Sequence, residues 1–113
     1  MKGDRTLSCM IKTDRGEICI DPAEPILHII GKKYAIFIVS VLGNDNTRKN
    51  FNDLMRAVPG ISSTMLSARL HEMNECGLIE RHEGDIVTYE LTERGREIRK
   101  RMLPLIEYLA DAD

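Results

Sequence analysis

The sequence predicts a mainly α-helical domain with one small β-hairpin late in the chain and another at its beginning. Three observations carry this prediction. Apolar residues recur at spacings of three and four over 49–58, 62–75 and 92–110, the period of helices with one inward face. Pro59-Gly60 and Cys76-Gly77 punctuate the first two of those stretches. Between 78 and 91 the pattern changes to the shorter period of strands. A chain of 113 residues suits one domain, and 42% apolar with 30% charged residues is the balance of a globular chain. The longest apolar run, 26–42, is broken by Lys32 and Lys33, which excludes a membrane span. With no apolar leader at the start, the expected setting is cytoplasmic.

The elements follow in order. Residues 7–11 and 17–20 read as strands flanking an Asp14-Arg15-Gly16 turn, so residues 1–20 form a hairpin extension and 21–113 the main domain. Asp21 and Pro22 suit the start of a helix that runs to about Ile30, where Gly31 interrupts it. Residues 32–42 (KKYAIFIVSVL) satisfy two readings: their length favours a helix, their β-branched content a buried strand. Gly43–Asn46 is a turn. A helix over 49–57 then directs Phe51, Leu54, Met55 and Val58 inward. Ser62 or Ser63 caps a helix to about Glu75 with Leu66, Leu70 and Met73 as its apolar stripe, and Gly77 suits the position past its end. Residues 79–82 and 87–91 form a hairpin around Glu83-Gly84-Asp85. Thr92 caps a last helix to about Ala110, striped by Ile98, Met102, Leu105, Ile106 and Leu109, with Pro104 expected to kink or break it.

Two short helices joined by Pro-Gly and followed directly by a hairpin match the order of a winged helix-turn-helix, whose second helix enters the DNA major groove. On helix 62–75, Ser63, Thr64, Ser67, Ala68 and His71 lie away from the apolar stripe. Small hydroxyl side chains let a helix approach base edges and bond to bases or phosphates.

The stretch Phe51-Asn-Asp-Leu, Val58-Pro-Gly-Ile-Ser, Met65-Leu-Ser-Ala-Arg-Leu, Met73-Asn-Glu-Cys-Gly-Leu-Ile-Glu-Arg81 and Tyr89-Glu-Leu-Thr-Glu-Arg-Gly95 closely resembles the HxlR family of winged-helix transcriptional regulators, relatives of the MarR type. Ile30-Gly-Lys-Lys-Tyr34 is similar to the family's Gly-Gly-Lys-Trp, with Lys32 and Tyr34 in place of the second Gly and the Trp. The resemblance covers about 21–109 and implies a homodimer joined by its terminal helices, reading an inverted-repeat operator in double-stranded DNA. It favours the helix for 32–42. It implies that Ser63, Thr64, Ser67 and His71 face the major groove, and that Arg69 clamps a phosphate or a neighbouring carboxylate. Arg48, Lys49 and Arg56 are placed for phosphates, and Ile98, Met102, Leu105, Ile106 and Leu109 for the dimer seam. Three departures stand out. Where the family often carries a cysteine, this chain has Asp21, with Cys19 two residues earlier. The turn at 43–49 is about two residues longer. The wing is shorter and lacks the usual Pro-Pro-Arg, leaving His82 as its substitute contact.

Other classes find less support. No carboxylate sits in a motif beside a nucleophile or a Gly-rich loop, so no enzyme is expected. Three cysteines make no disulfide framework, and neither they nor the three histidines have metal-ligand spacing. Cys9 and Cys19 read as small apolar residues of a hairpin, Cys76 as packing, His28 as a core or interface residue; no cofactor is implied. The alternative function is a winged-helix protein-interaction module in a larger transcription assembly. Its motive is the acidic region 71–113, with six Lys/Arg against eleven Asp/Glu. A small-molecule effector would need a cavity between the first and last helices.

Overall fold

The computed structural model describes residues 10–112. Strands β1 (Met10–Thr13) and β2 (Gly16–Cys19) pair antiparallel, with Ile11 opposite Ile18 and Thr13 opposite Gly16. Gly16 takes φ 112°, which an L side chain resists. Of the hairpin expected at 7–11 and 17–20, the first strand runs on to Thr13 and the second starts at Gly16; residues 7–9, Cys9 among them, lie outside the described residues. Cys19 is exposed and disulfide-bonded, a correction to its reading as a small apolar thiol. Cys76 is a free thiol, pushed up by burial.

Helix α1 (Pro25–Ile30) starts later than Asp21-Pro22 suggested. Glu24 caps it by accepting from the Leu27 amide at 3.0 Å, while Asp21 instead accepts from Ala23 in the preceding turn at 2.9 Å. Helix α2 (Ala35–Leu42) resolves the 32–42 ambiguity: Ala35, Ile38, Val39 and Leu42 are buried, the three-and-four spacing of a helix and not the alternation of a strand. Lys32–Tyr34 form the tight entry to it, and Tyr34 sits at φ 74°.

Strand β3 (Lys49–Asn50) occupies the expected start of the next helix. Helix α3 (Phe51–Ala57) begins two residues later because Asn50 and Asp53 form a reciprocal capping box, with bonds of 2.8 and 3.0 Å. Helix α4 (Ser63–Glu75) follows the Pro59-Gly60 turn, its first amides capped by Ser62 Oγ accepting from Met65 at 3.1 Å. Strands β4 (Ile79–His82) and β5 (Thr88–Leu91) form the wing, and β3 adds to it in the order β3-β5-β4, all antiparallel.

The core lies where α1–α4 meet the wing's base: Ile26, Ile38, Leu54, Val58, Leu66, Leu70, Met73, Leu78, Ile79 and Leu91 are all buried, without a buried polar residue among the described ones. Helix α5 (Glu93–Ala112) starts on Thr92, whose Oγ1 accepts from the Gly95 amide at 3.0 Å and donates to the Gly77 carbonyl at 2.6 Å. It runs on through Pro104, so of the kink or break expected there the break does not occur. Pro104 and Lys100 are exposed, so water can satisfy the Lys100 carbonyl that proline leaves without a donor.

Candidate nucleic-acid interface

The 3.6-residue period of α4 sorts its side chains. Leu66, Leu70 and Met73 are buried; Ser63, Thr64, Ser67, Ala68, His71 and Asn74 are exposed on the opposite side. Ser67, His71 and Asn74 meet Arg81 and Tyr89 of the wing across a cleft of about 260 Å³. Asn74 and Arg81 did not stand out in the sequence. Arg81 gains its place from strand alternation, which turns it to the same face as Tyr89, and it pairs with Glu83. The polar face is thus open among the described residues and flanked by a wing.

The helix is held in place by residues outside the motif. Tyr34 Oη donates to the Gly60 carbonyl at 3.1 Å, tying the entry of α2 to the turn between α3 and α4. Lys32 pairs with Glu72 at 2.7 Å, and Arg69 pairs with the same carboxylate at 3.1 Å while donating through Nε to the Lys33 carbonyl at 2.9 Å. These cations, Lys32 first, hold the Glu72 carboxyl below its ordinary value. Of the two roles offered for Arg69, phosphate or neighbouring carboxylate, the second describes its position: its side chain is 12% exposed and faces inward.

The other basic side chains expected at DNA, His71 apart, each meet a carboxylate. Arg48 Nε lies 3.4 Å from Glu90, Lys49 Nζ 2.7 Å from Asp45, Arg56 2.7 Å from Asp53, and His82 Nε2 2.6 Å from Glu90. The Lys49 ammonium, helped by Thr47, holds Asp45 far below the usual carboxylate range. Arg48 and Arg56 are exposed at the surface, where such pairs contribute about 0–1 kcal/mol and exchange partners readily. His82 turns away from the cleft, since β4 alternation puts it on the face opposite Arg81.

The expected dimer stripe divides in two. Ile98 and Met102, at the start of that stripe, pack partly against the chain's own core. Further along, Leu105 and Leu109 are 54% and 55% exposed, with Tyr108 beside them; Ile106 is half-buried. A cavity of about 490 Å³ lies between the turn after α2 and α5, and one of about 390 Å³ between α1 and α4. Neither joins the first and last helices, the place expected of an effector cavity.

Residues 29–112 match the HxlR-like helix-turn-helix family. The chain belongs to that family. Among curated relatives of this HxlR-like chain, the HTH-type transcriptional regulator YdzF of Bacillus subtilis is 39% identical over 90 residues, covering 76% of this chain and 78% of YdzF. A possible HxlR family transcriptional factor from Thermoplasma volcanium superposes with a TM-score of 0.87 at 50% identity, over 93% of this chain and 96% of that one. The reduced form of the regulator YodB from B. subtilis superposes with a TM-score of 0.69 at 25% identity, over 80% and 91% of the two chains. The HxlR-like chain is a transcriptional regulator with a helix-turn-helix DNA-binding fold. Among its described residues no helix is long and apolar enough to cross a membrane.

Proposed function

We propose that this regulator binds double-stranded DNA sequence-specifically as a homodimer, with the outer face of α4 in the major groove. The observation that carries the reading is the exposed row Ser63, Thr64, Ser67 and His71, small or polar throughout and backed by a fully buried stripe. Base edges are read by those side chains. Arg48, Lys49 and Arg56 contact phosphates, leaving their surface carboxylates to do so; Arg69 positions the helix from inside. The exposed end of α5, with Leu105 and Leu109, joins Ile106 in packing against a second copy, which sets the two recognition helices about 34–36 Å apart.

One observation favours a second reading, the protein-interaction module: every arginine and lysine assigned to DNA already has a carboxylate within 4.0 Å. Selection of bound fragments from random duplex DNA, followed by a salt series, separates the two. The DNA reading expects an enriched inverted repeat and an affinity falling steeply with salt, with Arg56→Gln reducing the log–log slope by about one per copy bound. Absence of any enriched sequence would favour the protein-interaction module.

A further inference from the structure

We propose that Glu80, His82 and Glu90, on the wing face turned away from α4, bind a divalent transition-metal ion of the zinc class. Glu80 and His82 are two residues apart on β4 and so share a face. The register sets Glu90 of β5 directly opposite Glu80. Like charges in that relation destabilise a sheet unless a cation lies between them. Arg48 compensates only one side, at 3.4 Å from Glu90. Glu80 has no ion-pair or side-chain hydrogen-bond partner among the described residues. The third donor is the imidazole. His82 Nε2 is buried as an atom, and although Glu90 Oε2 lies 2.6 Å away, it is not aligned as a hydrogen-bond acceptor for that nitrogen.

One donor atom from each of the three residues lies within 4.8 Å of the others. Zinc holds nitrogen and carboxylate oxygen at about 2.0–2.2 Å, so side-chain rotations moving donors by about an ångström close a three-ligand shell with a fourth position for water. The imidazole selects zinc and its neighbours over calcium or magnesium, which take oxygen. A dipositive ion at this point also removes the Glu80–Glu90 repulsion, and Arg48 is then displaced from Glu90. Cysteine and histidine spacing could not disclose this site, because two of its donors are carboxylates joined only by strand register.

The test needs no DNA, so its failure is separate from failure of the DNA reading. Zinc is titrated by calorimetry into the untagged full chain after treatment with chelator. One equivalent binds per chain, and Glu80→Gln or His82→Gln weakens binding by roughly 100-fold or more, beyond the typical loss of an outer-sphere partner. His28→Gln, His71→Gln and Cys76→Ser leave it unchanged. Because Glu80 has no partner to lose, Glu80→Gln folds and serves as the control: zinc raises the melting temperature of the parent chain but not of this variant. No saturable binding, binding that survives Glu80→Gln, or an equal thermal shift in that variant would overturn the site.

Discussion

Two single residues fix how α4 and α5 are seated on the rest of the chain. Tyr34 holds a left-handed backbone conformation that non-glycine residues rarely adopt, and its hydroxyl reaches the Gly60 carbonyl. Strain of that kind persists where the surroundings determine it, here through the turn that orients α4. Tyr34→Phe keeps the ring and removes the bond, so urea unfolding should show a loss of about 1 kcal/mol. Gly95 is the second. It is buried in the first turn of α5, and a Cβ there would stand 2.1 Å from the Leu78 carbonyl oxygen. Gly95→Ala must push α5 off the base of the wing and should cost at least about 1–3 kcal/mol by the same measurement. The Gly95 position was part of the family resemblance, but its reason is a backbone approach that only the fold shows. The Tyr34 bond spans 26 residues and has no local signal.

The elements were legible to the extent that their signals were local. Helix α4 announced itself through its cap, its stripe and Gly77, and the wing through its change of period. What escaped depended on pairing at a distance. Lys49-Asn50 became a strand because β5 was there to accept it, and residues 32–42 held two readings until neighbours chose the buried face. The open face of α4 was readable from period alone, whereas the wing residue Arg81 that flanks it was not. The link from α2's entry to α4 through Glu72 is likewise non-local, and it makes a pH prediction. Its folded pKa is lowered from 4.5, so the stabilisation is present above that value and is lost as pH falls through the lower folded value. Glu72→Gln should therefore flatten the decline of stability as pH falls below about 4.5, measured by urea unfolding at each pH.

The whole molecule is less compact than its length requires. Its radius of gyration is 15.9 Å, against roughly 13 Å for a compact chain of this size. The excess and the exposed Leu105, Tyr108 and Leu109 on the distal half of α5 suit a seam with a second copy. Leu105→Glu should yield a monomer by light scattering with little change in helix content, since the residue is already 54% exposed and contributes nothing to the core. A dimer that persists would place the seam elsewhere. DNA reading by α4 turns on which groove the helix enters. Methylation of a selected duplex by dimethyl sulfate reports this directly, because guanine N7 lies in the major groove and adenine N3 in the minor groove. Guanine N7 should be protected in two patches about one helical turn apart, and the protection lost in Ser67→Glu. Unprotected N7 positions under full binding would contradict it.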